Sequence, residues 1–180
     1  MSSRPPDAER AYATLLAQLS AAGLASSRIV GIHSGGVWVA QRLAHDLGQK
    51  DAPGELDISF YRDDFDRIGL HAAVNPTQIA FEVEGAHIIL VDDVLYTGRT
   101  IRGALNVLFD YGRPARVELA VLADRGNREL PIAARYSGGS VEVPHGQELV
   151  LVRHGDAPTA ARFEFEWRDL PAAVPPGAAT

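Results

Sequence analysis

Two adjacent carboxylates, Asp92 and Asp93, stand just ahead of Thr97-Gly98-Arg99-Thr100. The threonine hydroxyls and the backbone N–H groups of a helix start make a cradle for a phosphate monoester. Gly98 permits close backbone approach or a positive φ. The two aspartates can accept hydrogen bonds from vicinal ribose hydroxyls, so a sugar 5-phosphate would span the loop. That chemistry needs the acids at a strand tip and the threonines at a helix start. The flanking residues supply both. Residues 88–91, Ile-Ile-Leu-Val, are too few for a helix and rich in β-branching, which predicts a buried parallel strand ending at the acids. Ile101, Ala104, Leu105 and Leu108 share one helical face, and Gly112 and Pro114 end that helix. Strand tip, loop and helix start form the usual α/β site for a phosphorylated ligand.

The rest of the chain supplies further elements. Asp7 caps a first helix whose Tyr12, Leu15, Leu16 and Leu19 fall on one face, with Gly23 as its stop. Residues 28–32 form a core strand. His33-Ser34-Gly35-Gly36 follows as a tight loop that can bind an anion through backbone amides and Ser34, although a plain β–α turn explains it equally well. Val39, Ala40, Leu43, Ala44 and Leu47 mark the next helix, stopped by Gly48. Residues 55–61 alternate apolar and polar, as a half-exposed strand does. A long polar connection then runs to about Glu84, with a strand-like stretch at 78–83 that implies a hairpin. Residues 116–123 form another strand. Residues 148–153 and 162–167 are expected to form edge strands and a small hood. Residues 1–6 and 171–180 are expected to be disordered tails of a single domain spanning 1–180.

The string Val91-Asp-Asp-Val-Leu-Tyr-Thr-Gly-Arg-Thr100 resembles the phosphoribosyl-pyrophosphate (PRPP) signature of the type I phosphoribosyltransferases. Its particular form is similar to the subfamily of pyrimidine-operon regulators that double as uracil phosphoribosyltransferases. Two more strings carry the likeness, Tyr61-Arg62-Asp63-Asp64 and Asp124-Arg-Gly-Asn-Arg-Glu-Leu-Pro-Ile132. The resemblance implies a central, mainly parallel sheet flanked by helices, with a flexible flap and a small hood. It implies conversion of uracil and PRPP to UMP and pyrophosphate with Mg2+.

The resemblance also implies residue roles. Asp92 and Asp93 would hold the ribose hydroxyls, directly or through the metal, and Val94, Leu95, Tyr96, Thr97, Gly98, Arg99 and Thr100 the 5-phosphate side. His33, Ser34, Gly35 and Gly36 would form the pyrophosphate loop. Tyr61, Arg62, Asp63 and Asp64 would begin the flap, with Arg62 reaching pyrophosphate on closure. Tyr96, Ala123, Asp124 and Arg125 would face the base. The family carries Thr-Arg-Gly where this chain has Ser34-Gly35-Gly36, which removes a cationic contact to pyrophosphate. Purine enzymes of the family place an aspartate where Tyr96 stands. Tyrosine is a poor base near neutral pH, so Tyr96 favours a pyrimidine, which is weakly acidic at the reacting nitrogen.

Composition limits the alternatives. The chain of 180 residues has no Cys, which rules out disulfides, thiolate catalysis and Cys–zinc sites and suits a cytoplasmic protein. The start Met-Ser-Ser-Arg-Pro-Pro-Asp lacks an apolar core, so no secretory signal is expected there, and no apolar run is long enough for a membrane. The net charge of −6 does not advertise nucleic-acid binding. The six histidines show no metal-ligand spacing, and Lys50, the only Lys, does not follow a Gly-rich loop. The competing function is an RNA-binding attenuator that senses PRPP, UMP or UTP, with or without turnover, and transfer to another base is a third. Arg10 is the only basic residue of the first helix, so an RNA face would have to come from Arg113, Arg116, Arg125, Arg128 and Arg135. The resemblance further implies a homodimer or higher oligomer.

Overall fold

The structure, a computed structural model, describes residues 4–24, 26–58, 76–155, 157 and 160–170. Five parallel strands lie in the order β2-β1-β3-β4-β5. They are β1 Arg28–Ile32, β2 Gly54–Leu56, β3 His87–Leu95, β4 Arg116–Asp124 and β5 Tyr136–Ser137. Among the described residues three helices flank the sheet, α1 Ala8–Ala21, α2 Gly35–Asp46 and α3 Arg99–Asp110. Strands β6 Gln147–His154 and β7 Arg162–Asp169 pair antiparallel in a separate ribbon. The parallel sheet and its flanking helices are as the resemblance implies, and the flap expected from Tyr61 onward lies outside the described residues.

The period of two along β3 explains the layering. Ile88 and Leu90 enter one core with Val30, Ile32, Ile101 and Leu108, on the α3 side. Ile89 and Val91 enter the other, with Leu15, Leu43, Phe163 and Phe165 from α1, α2 and β7. A strand with apolar residues on both faces is what a parallel sheet covered on both sides requires. α1 starts as its sequence predicts, with Asp7 accepting the Arg10 N–H at 3.1 Å.

One ion pair joins three elements of the second core. Arg42 of α2 donates to both oxygens of Glu9, at 2.8 and 2.9 Å, and Glu9 also accepts the Phe163 N–H of β7 at 2.7 Å. The Arg42 guanidinium lies 4.0 Å from the Tyr12 ring centroid. Burial raises the Glu9 carboxyl, but the bonds from Arg42 and Phe163 outweigh it and hold the group below its ordinary pKa. Residues 4–6 lead into this junction, and Pro5 and Pro6 are half-buried rather than frayed. Residues 1–3 and 171–180, the rest of the expected tails, lie outside the described residues.

The structure corrects four expectations. β3 does not stop at the acids but runs on to Leu95, because β4 continues beside it: Asp92 pairs with Val121 and Leu95 with Asp124. Of the strand expected at 55–61, the described part is the short β2, which ends at Leu56 with Leu56 and Ile58 buried, and residues 59–61 lie outside the described residues. The hairpin strand expected at 78–83 reduces to one antiparallel bridge, in which Glu55 and Gln78 exchange two backbone hydrogen bonds of 2.8 Å. Ile79, Phe81 and Val83 alternate there because they pack on the α3-side core, not because they pair. Finally, β6 and β7 are not edges of the main sheet. They form their own ribbon over α1 and α2, with Arg153 above the Trp38 ring at 5.1 Å.

Candidate active site

β1, β3 and β4 all end at the same edge of the sheet, which gathers His33, Asp92 to Leu95 and Asp124. Crevices beyond the carboxyl ends of parallel strands are where α/β sheets bind ligands. Asp92 is 6 % exposed and accepts the Asp93 N–H at 3.0 Å. The strand's alternation puts the two carboxylates on opposite faces. Asp92 shares the α3 face with Leu90, while Asp93 shares the α2 face with Val91.

Glycines let the β1–α2 turn press against β3. A Cβ on Gly35 would come within 2.5 Å of Asp93 Cγ, and one on Gly36 would collide with the Val91 carbonyl oxygen. Ser34 caps α2 without a side-chain hydrogen bond, and the first turn holds no acidic residue. The His33 side chain turns away toward β2, 3.3 Å from the Glu55 carboxylate.

The second helix start has the same character. Gly98, at φ +93°, caps α3 in the left-handed region with no side-chain bond and no acid in the first turn. The contrast is α1, which has Asp7 at its cap and Glu9 in its first turn. Helix starts without their own acids keep their dipole available to an anion. Thr97 Oγ1 accepts the Arg99 N–H at 3.3 Å, and Arg99 pairs with Glu129 at 2.6 Å.

Residues 124–132 wrap this loop from outside. The Arg125 N–H donates to the Leu95 carbonyl at 2.9 Å, and the Glu129 and Leu130 N–H groups both donate to the Thr97 carbonyl, at 3.0 and 3.1 Å. The Arg125 guanidinium lies over the Tyr96 ring at 4.0 Å, and Tyr96 is 41 % exposed. Beside them opens a cleft of about 590 Å³, lined in part by Asp124, Arg125, Arg128, Ile132, Val141 and Glu142. A larger cleft, about 860 Å³, lies between residues 4–9 and β7 and includes none of these residues.

The structure therefore brings together the pyrophosphate-loop, sugar-phosphate and base-side candidates. Tyr61, Arg62, Asp63 and Asp64 lie outside the described residues. Arg128 was not expected here. Its place beside Asp124 in a string with Gly126-Asn127, a turn signal, was the available clue. The five arginines considered as one RNA face are split. Arg116 and Arg135 bind Glu118 near the start of β4, whereas Arg125 and Arg128 follow its end. A nine-residue strand separates these groups by roughly 27 Å.

Fold and site together define a class, and residues 4–149 match the phosphoribosyl transferase domain family. A purine phosphoribosyltransferase from Pyrococcus horikoshii shares the fold at 25 % identity and TM-score 0.55, covering 75 % of this chain and 83 % of its own. So does a Staphylococcus aureus hypoxanthine phosphoribosyltransferase, at 19 % identity and TM-score 0.59, with 77 % of each chain covered. Curated relatives are much nearer in sequence. The bifunctional protein PyrR of Ralstonia nicotianae is 51 % identical over 92 % of this chain and 96 % of its own. That of Pseudomonas aeruginosa is 50 % identical over 84 % of this chain and 88 % of its own. The chain belongs to the PyrR subfamily of the type I phosphoribosyltransferases.

Proposed function

We propose that the chain is a single-domain uracil phosphoribosyltransferase that turns uracil and PRPP into UMP and pyrophosphate. The observation that carries the site assignment is the pair of helix starts, α2 and α3, flanking Asp92 and Asp93 at one sheet edge. PRPP presents a 5-phosphate and a pyrophosphate on either side of a ribose, and this arrangement offers an anion cradle for each. The 5-phosphate belongs at residues 97–100. The ribose hydroxyls belong at the two aspartates. Pyrophosphate belongs at residues 33–36, where Arg62 would join it from the flap.

Breaking the bond from the sugar C1 to pyrophosphate builds an oxocarbenium-like ribose and a highly charged leaving group. The protein's part is to hold both fragments in line and to keep water out. Gly35 brings no charge to the leaving group, and Asp93 beside it is negative. Because Asp92 and Asp93 lie on opposite faces of β3, one carboxylate at a time would hold a magnesium ion, which would keep several waters, and no set of three protein ligands exists among the described residues. When bound, magnesium supplies the positive charge that the loop lacks.

On the base side, Tyr96 is exposed with Arg125 on its ring. Position 96 offers no carboxylate to take a proton from a purine, which supports uracil over a purine. The relatives' bifunctional name concerns a second activity. For this chain that reading is a regulator that senses UMP or UTP and acts through RNA. The split arginines support a weaker RNA face than one continuous patch would give. Exposed Phe109 and Tyr111 at the end of α3 support a homodimer or higher oligomer. A chain without cysteine suits the reducing cytoplasm, where this reading places the enzyme. Among the described residues no helix is long and apolar enough to cross a membrane.

The test is pyrophosphate release with PRPP and magnesium, run in parallel with uracil, orotate, hypoxanthine and guanine. Release with uracil is the expected result. Release with a purine would overturn the reading of Tyr96. No release with any base, while UMP still binds, would move the function to sensing, and binding of the pyrimidine-operon leader RNA across a salt series would follow.

A further inference from the structure

One side chain both organises residues 124–132 and fastens them to the sugar-phosphate loop. Arg128 is 21 % exposed. Its Nη1 donates to the carbonyls of Tyr96, at 2.6 Å, and Gly126, at 2.9 Å. Nη2 donates to Asp124 Oδ1 at 2.6 Å, and Nε to the Ile132 carbonyl at 3.1 Å. The fork therefore grips three backbone carbonyls and one carboxylate. The turn that aims it is built for the purpose. Gly126 and Asn127 take consecutive left-handed conformations, φ +68° and +50°, which Gly and Asn tolerate best. Asp124 Oδ1 also accepts the Gly126 N–H at 2.8 Å, closing the turn.

The grip acts on the site. Tyr96 directly precedes Thr97, whose carbonyl is held by the Glu129 and Leu130 N–H groups. Leu130 and Ile132 cover Gly98 so closely that a Cβ there would lie 3.3–3.4 Å from them. We propose that Arg128 is a positioning residue for the sugar-phosphate loop. It fixes residues 96–98 before ligand arrives, so that the start of α3 already faces the phosphate. The inference rests on the functional reading above and adds a residue to it. Arg128 touches backbone and Asp124 and acts through them. Its guanidinium is committed inward, which also removes it from an RNA-binding face. A lysine cannot reproduce the fork, because an ammonium offers one point charge where planar donors reach four acceptors.

The experiment compares wild type with Arg128→Met and Arg128→Lys in the full chain, after circular dichroism and a melting curve. UMP and uridine binding are measured by calorimetry, and KM and kcat are followed against PRPP. A misplaced phosphate loop weakens UMP more than uridine, which lacks the phosphate. The expected result is an UMP-to-uridine affinity ratio lowered about tenfold or more in both variants, the scale of a lost charged hydrogen bond. KM for PRPP should rise by a similar factor, with kcat within about threefold of wild type. Methylguanidinium added to the methionine variant should restore part of the ratio, which a general loss of stability would not allow. If a folded variant keeps the ratio, or loses UMP and uridine equally, the inference is wrong. If Arg128→Met does not fold, Arg128→Lys, which keeps the stem and charge, decides by the same ratio. If wild type itself binds neither ligand and releases no pyrophosphate, the functional reading fails first, and the inference with it.

Discussion

The two ends of β4 are both built from arginine and carboxylate, to opposite effect. At the start of the strand the carboxylate is the centre. Glu118 is only 6 % exposed at its side chain and receives Arg116 at 2.5 Å, Arg135 at 2.6 Å and His87 at 3.0 Å. His87 in turn meets the Ser27 hydroxyl at 2.9 Å. Those arginines are more than half exposed, so the cost of the arrangement falls mainly on the buried acid. At the other end the arginine is the centre, and Asp124 is one acceptor among four. The first arrangement compensates a charge that the sheet has buried. The second spends its donors on backbone carbonyls and so fixes the path of a loop. The same ion pair thus means stability at one edge and geometry at the other.

That contrast can be broken or sharpened. The largest effect belongs to the site edge. Asp92→Asn with Asp93→Asn should lower kcat/KM about a thousandfold while leaving the melting temperature nearly unchanged. The amide introduced at position 92 would still offer an oxygen to accept the residue-93 N–H. Steady-state kinetics beside calorimetry checks this, and retained activity would remove both aspartates from the mechanism. At the opposite edge, Glu118→Gln should cost about 2–3 kcal/mol in urea unfolding and leave KM and kcat for PRPP alone. A change in kinetics there would erase the distinction between the two ends.

A third test uses pH. Burial raises the Glu118 carboxyl, but the His87 hydrogen bond and the charges of Arg116 and Arg135 more than offset it, so its folded pKa lies below the ordinary value. The unfolded state then binds the proton more readily. Glu118 stabilises the fold fully above the unfolded pKa, about 4.3, and loses that contribution as pH falls through the folded value. Glu9 and Asp46 are shifted in the same direction and add to the acid loss. Urea unfolding from pH 6 downward should show a shallower fall for Glu118→Gln than for wild type. The smallest effect expected is from Gly98→Ala, about 1 kcal/mol for a Cβ at φ +93°. Because Leu130 and Ile132 leave little room, this change should also raise KM for PRPP, so it alone should register in both stability and kinetics.

How legible this was depends on the range of the interactions. The first helix, β1 and the α3 face followed from local periodicity, and Asp7 caps where its type predicts. The acids and the Thr97-Gly98 string marked the candidate site by themselves. What the sequence hid was set by neighbours. β3 runs past its acids because β4 is there to pair with them, and no residue of β3 reports that. The stretch at 78–83 alternates like a strand but answers to packing of Ile79, Phe81 and Val83. Glu118 was visible as a lone acid inside Val-Glu-Leu-Ala-Val-Leu with Arg116 nearby, yet its two other partners, His87 and Arg135, come from β3 and from beyond the end of β4. Arg128 looked like surface charge because its acceptors are mostly backbone carbonyls, which have no signature in side-chain pattern.

The bridge between Glu55 and Gln78 has a consequence for how this protein can change. Just inside it, the Asp57 N–H donates to Thr77 Oγ1 at 3.1 Å, so residues 55–57 and 77–78 are held together by three hydrogen bonds. Both ends of the intervening sequence are thus fastened to each other by described residues alone. Closing the ends of a flexible connection costs only about 0.6 kcal/mol more for each doubling of its length. Descendants of this sequence, or an engineer, can therefore try a longer or shorter sequence between residues 58 and 76 without rebuilding that closure.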